Sequence, residues 1–258
     1  MKGAEKVFSD IPVDAQPSSS FTKMVFGPSS TATTAVGEIL LKSKVKPLKP
    51  FVNELRVMKS PSEISNMRKA GQASGRAFTD AMRQHFTTER ELDTFLDYKF
   101  RMNGCEESAY VPVVAGGRNA IQIHYVRNDD QLRDGELVTV DAGGEYGGYV
   151  TDITRAWPVN GKFSPAQKDL YEMILGIQRH CVSLCREDAK MSLDNIHTVA
   201  EYKLRDGLKQ LGFNVAGNAM DSLFPHHVGH YVGLAVHDAP GYPRTGLLKQ
   251  GHCITIEP

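Results

Sequence analysis

The 258-residue sequence has few cysteines, no excess of either charge and no long apolar run. Its four cysteines form no Cys-x-x-Cys pair, which favours reduced, mostly buried thiols over a disulfide framework. Thirty basic and thirty acidic side chains cancel, so net charge does not attract the chain to nucleic acid or to an anionic membrane. No stretch approaches the roughly 20 apolar residues that a membrane-spanning helix needs. We therefore expect neither nucleic acid nor a membrane among its partners.

The two ends of the sequence differ from those of a typical complete domain. The start has neither the apolar segment of a secretory signal nor the Arg-rich, acid-poor pattern of a transit peptide. The final run, Ile254–Pro258, stops inside a strand-like pattern. We expect residues 1–54 to be the tail of an N-terminal domain and a linker, with a short helix at 34–42 and an extended connector at 46–50. Residues 55–258 are expected to form the main domain, lacking its C-terminal part.

Helix signals occur in the main domain as two similar sets. Capping boxes with proline at the first helical position begin at Ser60 and Ser164. Further helix starts are predicted at Thr88 and Ser192, with Gly212 ending the last helix. Strands are expected at 109–114, 121–125, 137–140 and 149–157, and again near 230–236 and 253–256. Two helices followed by strands, twice over, predict an α+β fold with two pseudo-symmetric halves around a shared sheet.

Two aspartates are spaced for paired carboxylate chemistry. Asp141 ends the apolar run 138–140, and Asp152 lies in the next strand-like run. The glycines between them suit a tight connection between antiparallel strands, which would place the carboxylates side by side. One of the two would then keep a proton unless a cation neutralises the pair. The alternative is that these aspartates, beside glycines, only form turns.

A histidine-rich segment and a later glutamate add donors of a second kind. Four histidines lie close together in the sequence: His226, His227, His230 and His237. Glu257 ends a later apolar run, as Asp141 ends an earlier one. One imidazole with several carboxylate oxygens suits divalent manganese, cobalt, iron or zinc better than calcium. The four histidines cannot all be ligands, so hydrogen-bonding or substrate roles stay open for some, and His124 could equally be a core histidine.

Several longer motifs follow one another along the chain. They are 113–117 with His124, then 140–144, 151–161, 226–238 and 255–258. Together they resemble the aminopeptidase P (Xaa-Pro aminopeptidase) family, within peptidase family M24, from about Val45 to Pro258. Within that family the sequences of these motifs are most similar to the branch of mitochondrial Xaa-Pro aminopeptidases and intermediate-cleaving peptidases. The resemblance implies a pita-bread (creatinase-like) catalytic domain.

The resemblance also implies a site for two divalent metal ions, commonly manganese, with zinc, cobalt or iron as alternatives. By motif position Asp141 would chelate one ion and Asp152 would bridge both. His230 and Glu257 would ligate the other ion. The family has a fifth ligand, a bridging glutamate beyond the Glu-Pro-Gly motif, which nothing in this chain matches. We therefore expect the chain as written to bind metal weakly and to be impaired in turnover.

The catalytic roles implied by the resemblance fall mainly on histidines. His124 and His237 match histidines that contact substrate and stabilise the tetrahedral intermediate, and His226 matches a nearby histidine. Glu257 would also pass a proton from the metal-bridging water to the leaving amine.

The implied activity is removal of one N-terminal residue from peptides or proteins, either before proline or from imported mitochondrial proteins. The resemblance suggests a mitochondrial location, with the cytoplasm as the alternative, and a possible homo-oligomer. A prolidase-type dipeptidase and a non-catalytic pita-bread binding module remain as alternative functions. Binding modules of that kind typically lose the ligands that this sequence keeps.

Overall fold

The computed structural model describes residues 6–10 and 44–258. The helix predicted at 34–42 lies outside these residues. The chain divides into two compact units, Met1–Leu55 and Arg56–Pro258. The assignment of 1–54 to a separate domain and linker stays a prediction. No helix within the described ranges is long and apolar enough to cross a membrane.

The described part of the first unit contains two short strands and most of a helix. Strand β1 (Lys6–Phe8) pairs in parallel with β2 (Lys44–Lys46). Helix α1 (Lys49–Val57) follows and continues past the unit boundary. The extended connector predicted at 46–50 is therefore wrong at its end, because proline is accommodated in a first helical turn, where its missing N–H is not needed.

The second unit begins with two helices whose predicted starts are confirmed. Helix α2 (Pro61–Ala81) has Ser60 as its N-cap, in a reciprocal capping box with Glu63. Helix α3 (Glu89–Met102) starts at Thr88 in the same way, with Glu91 as its partner. Each box satisfies two backbone groups that a helix start leaves unpaired.

Three strands form the sheet behind these helices. β4 (Val113–Gly116) and β8 (Ile153–Pro158) flank β5 (Leu137–Ala142) in an antiparallel sheet of order β4-β5-β8. β3 (Glu107–Ser108), β6 (Gly144–Tyr146) and β7 (Tyr149–Val150) form a second sheet of order β3-β6-β7. Gly147 and Gly148, with φ of 59° and 77°, make the two-residue turn between β6 and β7, within the segment where the sequence predicts a tight connection.

Three of the predicted strands in this half differ from the structure. The strand expected at 109–114 is shifted to β4. The strand expected at 121–125 is wrong, because residues Gly117–Ile121 form a 3₁₀ helix followed by a turn. The run predicted at 149–157 is divided into β7 and β8, with Asp152 in the break.

The second half repeats the helix pair. Helix α4 (Pro165–Ser183) begins at the Ser164–Gln167 capping box. Helix α5 (Leu193–Gln210) begins at Ser192, whose box partner is Asn195. Gly212, with φ of 88°, stands just beyond the C-cap in the left-handed conformation that glycine adopts at low cost. A short helix, α6 (Ala219–Leu223), follows.

The strands predicted near 230–236 and 253–256 are wrong as regular elements. Within 44–258 these segments make only isolated antiparallel bridges, such as Tyr231 with Ile254. Backbone hydrogen bonds still join them: Thr255 N donates to His230 O at 2.9 Å, and Glu257 N donates to Val228 O at 2.7 Å. The ladder stays short because the chain bends away over residues 233–237.

Each half of the second unit has its own hydrophobic core. In the first half, α2 and α3 pack on β4 and β5 through fully buried side chains that include Leu92, Leu96, Phe100, Val114 and Val140. In the second half, α4 and α5 pack on the irregular segments through Cys181, Leu193, Ile196 and Val228. The helix-and-strand pattern of the α+β prediction is confirmed, whereas within the second unit, all of which is described, only the first half has regular strands.

Candidate metal centre

Three side chains from separate segments converge in the second unit. Asp152 comes from the break between β7 and β8, and His230 and Glu257 come from the irregular ladder. One ligand atom from each lies within 4.8 Å of the others. The His230 Nε2 atom is 3.1 Å from Asp152 Oδ2 and 3.4 Å from Glu257 Oε1. The structure therefore brings together three of the four predicted metal ligands.

The fourth predicted ligand, Asp141, joins this cluster through a tyrosine. Asp141 lies in β5, paired across the antiparallel ladder with Thr154 of β8. The Tyr110 hydroxyl is 2.5 Å from Asp141 Oδ1 and 3.0 Å from Asp152 Oδ1. The predicted juxtaposition of the two aspartates is thus found. Tyr110 itself was not anticipated, because a single tyrosine before a strand has no sequence signal that marks it as a bridge.

The proximity of these groups changes their protonation. Burial, together with the charges of Asp152 and Glu257, raises the pKa of Asp141 to about 7. Burial opposes ionisation of Asp152 as well, but hydrogen bonding and attraction to His230 hold its pKa below the usual value. Burial, then the neighbouring Asp141 and Asp152 charges, raise the pKa of Tyr110 far above its ordinary value.

The imidazole of His230 balances part of this negative charge. Burial disfavours its protonated form, yet the hydrogen bond to Asp152 and the nearby Glu257 carboxylate raise the pKa of His230 to about 10. A positive charge is therefore strongly favoured between these carboxylates, as expected where several acids share a partly dry site.

The donor set fits a divalent transition metal. Carboxylate oxygens and one imidazole nitrogen are the combination that suits such ions. Among the described residues, Glu257 Oε1 is buried and has no hydrogen-bond partner, a costly state for a carboxylate oxygen. A bound cation would satisfy that oxygen and relieve the repulsion between the aspartates.

Two glycines allow the ligand-bearing segments to approach one another. A Cβ on Gly143 would lie 1.9 Å from the carbonyl oxygen of Thr151, next to Asp152. A Cβ on Gly229, the residue before His230, would lie 2.0 Å from the carbonyl oxygen of Thr255. Neither position can hold a side chain without backbone movement. The sequence suggested Gly143 as a turn former, but close approach of the backbone is what requires it.

His237 lies beside the cluster, and His124 lies near enough to His237 to influence its pKa. The His237 ring is edge-on to that of His230, with centroids 4.4 Å apart. Burial, then the nearby His230 and a smaller contribution from His124, lower the pKa of His237. His124 is exposed in the turn after the 3₁₀ helix, so its alternative assignment as a core histidine is wrong.

A buried glutamate holds the segment that carries His124. Glu89, at the start of α3, is fully buried. Its Oε1 accepts from Gly116 N and from Asn119 Nδ2, each at 2.8 Å. Its Oε2 accepts from Tyr125 Oη at 2.7 Å and from Asp130 N at 2.9 Å. One carboxylate thus ties down both ends of the loop around His124, a role that its place in a helix's first turn did not reveal.

The remaining two histidines have other neighbours. His226 is exposed, with Nδ1 3.0 Å from the carbonyl oxygen of His227 and its ring against Phe224. It is not one of the three residues whose ligand atoms converge, and its catalytic role stays a prediction. The His227 ring stacks on His197 at 4.6 Å, and its Nε2 is 3.2 Å from Asp194 Oδ1. His227 is thus engaged in packing.

Comparison with known proteins gives one consistent result. The model of metallopeptidase family M24 matches residues 65–258. The chain is 44% identical over 256 residues to intermediate cleaving peptidase 55 of Saccharomyces cerevisiae, covering 98% of this chain and 50% of that protein. It is 43% identical over 228 residues to human Xaa-Pro aminopeptidase 3, covering 84% of this chain and 44% of that protein. The chain thus spans about half the length of the curated relatives that it matches.

Solved structures show the same relationship. Icp55 of Saccharomyces cerevisiae bound to apstatin inhibitor superimposes with a TM-score of 0.84 at 43% identity, over 98% of this chain and 58% of that one. Zinc-substituted Escherichia coli aminopeptidase P in complex with product gives a TM-score of 0.84 at 30% identity, over 98% and 59%. The fold of the matched region is therefore the pita-bread fold of these peptidases.

Proposed function

The chain belongs to metallopeptidase family M24, and from this premise we propose that it carries the metal centre of an aminopeptidase that removes one N-terminal residue. The observation that supports this most directly is the convergence of Asp152, His230 and Glu257 from three segments. A pita-bread domain used only for binding has no need to keep such a set of ligands together. Membership of a metallopeptidase family implies divalent metal ions.

We propose two ions, with manganese as the resident metal and zinc, cobalt or iron as alternatives. Asp141, Asp152, His230 and Glu257 would hold them, because their oxygen and nitrogen donors are those that such ions prefer. When bound, divalent ions at such a site polarise the scissile carbonyl and lower the pKa of a water nucleophile.

The chain's own side chains supply proton transfer and substrate positioning. The Glu257 carboxylate lies within the ligand cluster, where it would accept a proton from the attacking water and return it to the leaving amine. His237 has a lowered pKa owing first to burial, which favours a neutral ring able to donate one hydrogen bond to a substrate carbonyl oxygen. We propose that His124, which is exposed, contacts the substrate chain, and that His226, which is exposed as well, contributes to catalysis.

The substrates proposed are peptide or protein N-termini. Relatives are named intermediate cleaving peptidase and Xaa-Pro aminopeptidase, so both Xaa-Pro peptides and processed protein N-termini are candidates. A mitochondrial location is proposed because an Arabidopsis thaliana relative, 39% identical, is named as mitochondrial. The homo-oligomer expected from the resemblance stays a prediction.

The decisive variant is Asp152→Asn, made in the longest natural form of the protein that contains this sequence. Asp188→Asn is the matched control, because its side chain is 76% exposed on the surface. We expect Mn²⁺ to raise the unfolding temperature and to support release of the first residue of a Xaa-Pro tripeptide. Asp152→Asn should lose the thermal shift and more than about 100-fold in turnover, whereas the control should keep both.

Unchanged turnover or metal response in Asp152→Asn would refute the assigned centre. Activity on dipeptides with none on tripeptides would favour the prolidase-type alternative.

A further inference from the structure

We propose that Lys59 is a positioning residue: through a buried ion pair with Asp238 it holds the segment of His237 against the metal-binding cluster. The catalytic part of this inference rests on the proposed function, whereas the structural part does not. Lys59 belongs to none of the motifs on which the metal assignment rests.

The ion pair is almost completely shielded from water. Lys59 Nζ lies 2.9 Å from Asp238 Oδ2, and each side chain is 1% exposed. Arg56 donates to the other oxygen, Asp238 Oδ1. A buried charge is costly unless it is paired with good geometry. Neither Lys59 nor Asp238 can therefore move far without the other.

The backbone of Lys59 is fixed to the segment that leads to Glu257. Lys59 N donates to Gly251 O at 2.9 Å, and the preceding residue, Met58, bridges His252. The side chain and the main chain of one residue thus contact two different site-forming segments. A change at Lys59 acts on how these segments are spaced.

Asp238 closes the loop that carries both histidines of the site. Asp238 N donates to Tyr231 O at 2.9 Å, which joins the two ends of the loop between His230 and His237. Within this loop, Gly233 O accepts from Val150 N at 2.9 Å. Val150 ends β7, just before Asp152. The loop is therefore tied to the strand of the central ligand as well.

The ion pair packs directly against the backbone of this loop. A Cβ at Gly233 would lie 2.5 Å from Asp238 Oδ2 and 2.7 Å from Lys59 Cε. The ion pair therefore has no room to shift toward the loop. The distance between Lys59 Nζ and Asp238 Oδ2 thus sets how far the loop lies from Lys59. His237 immediately precedes Asp238 and meets the His230 ring edge-on at 4.4 Å. Because catalysis is sensitive to displacements of about 1 Å, the spacing set by Lys59 should affect turnover.

The chain contains a second lysine–aspartate pair that serves as a control. Lys99 Nζ lies 2.8 Å from Asp80 Oδ2, with side chains 26% and 35% exposed. It joins α3 to the end of α2, away from the ligand-bearing segments. Lys59→Met and Lys99→Met therefore remove the same group from equally short pairs in different places.

The test compares these two variants by histidine-ring NMR and by kinetics. In Lys59→Met we expect the His237 ring resonances to move or broaden in the metal-free protein, while those of His180, on α4, stay in place. With Mn²⁺ added to the longest natural form that contains this sequence, kcat for a Xaa-Pro tripeptide should fall at least about tenfold and KM should change less than about threefold. Lys99→Met should change neither the spectrum of His237 nor kcat.

A second variant covers the case in which Lys59→Met does not fold. Lys59→Met combined with Asp238→Asn removes both charges of the pair, so no carboxylate is left buried against an apolar side chain; it should show the same NMR and kcat changes. A folded variant with His237 resonances unmoved and kcat within twofold of the parent would overturn the inference. An inactive parent would count against the proposed function alone, because the ring spectra would still test the positioning.

Discussion

Gly143 lies so close to Thr151 that no side chain could fit between them, and the same relationship recurs between Gly229 and Thr255. In each case a glycine backbone meets a threonine carbonyl, and one of the two residues directly precedes a proposed metal ligand. Asp152 follows Thr151 in one half, and His230 follows Gly229 in the other. The two halves share almost no regular strand pattern in the described chain, but they share this contact.

Gly143→Ala should destabilise the second unit. The new methyl group would lie 1.9 Å from the Thr151 carbonyl oxygen, so the break that carries Asp152 must shift, at a cost of about 1 to 3 kcal/mol. Chemical unfolding in urea measures the change. Gly75→Ala is the control, because Gly75 lies within α2 with nothing within 4 Å of an added Cβ. That change should stabilise the protein by about 0.5 to 1 kcal/mol, and equal effects of both substitutions would contradict the close-approach account.

Tyr110→Phe should destabilise the metal-free protein more than the metal-loaded one. Without the hydroxyl, Asp141 and Asp152 lose a shared donor, at a cost of about 1 to 3 kcal/mol. Saturating Mn²⁺ should reduce that loss, since cations would then satisfy the carboxylates. Urea unfolding with and without metal tests this, and Tyr98→Phe, at a residue 55% exposed, should be neutral. A loss unaffected by metal would separate Tyr110 from the centre.

Glu89→Gln should loosen the loop around His124. The groups facing its two oxygens donate hydrogen bonds, so an amide NH₂ would face donors in place of an acceptor. We expect the free energy of unfolding to fall by about 2 to 3 kcal/mol and amide hydrogen exchange to become faster across residues 117–130. Glu172→Gln makes the same chemical change at a side chain 63% exposed on α4 and should have little effect. Unchanged exchange in the loop would show that Glu89 does not hold it.

The contribution of Glu63 to stability should depend on pH in a defined direction. Ser60 N and Tyr149 Oη donate to its carboxylate, each at 2.6 Å, and hydrogen bonding at Ser60, then to Tyr149, lowers the pKa of Glu63. The folded state therefore favours the ionised form. Its stabilisation is fully present above the unfolded pKa of about 4.3 and is lost as the pH falls through the folded pKa.

Urea unfolding of the parent and of Glu63→Gln at two pH values tests this sign. The parent should be more stable by about 1 kcal/mol at about pH 7, and the difference should shrink toward about pH 4. A difference that grows as the pH falls would contradict it.

Helix starts were predictable from the sequence because the signals are local. Helices start as expected after Ser60, Thr88, Ser164 and Ser192, and the structure shows a capping box at each of these residues. Each depends on hydrogen bonds between residues three apart, which tertiary structure does not need to supply.

Strands were less predictable because their partners are remote. The alternating apolar run at 121–125 is typical of a strand, but Glu89 and its hydrogen bonds hold the surrounding loop in another conformation. In the second half, the loop after Val232 turns away before a ladder can extend.

Only those residues of the site that lie in recognisable motifs were predictable from the sequence. The positions of Asp141, Asp152, His230 and Glu257 follow from the resemblance, and the structure places these residues together. Tyr110 and Lys59 could not be found in this way, because their importance comes from where the fold places them.

Lys59 and Asp238 are 179 residues apart in the chain, which has a consequence for synthesis on the ribosome. At about 5 to 20 residues per second, roughly 10 to 40 seconds pass between the emergence of the lysine and that of its counterion. During that interval an unpaired ammonium group cannot be buried at low cost. The helices of the first half can form at once from their local signals. The ammonium group of Lys59, however, must stay hydrated until Asp238 has been synthesised. The segments around the proposed metal centre can therefore pack together only after Asp238 has emerged, and a nascent chain interrupted before that point would expose the region around Lys59 to chaperones and proteases.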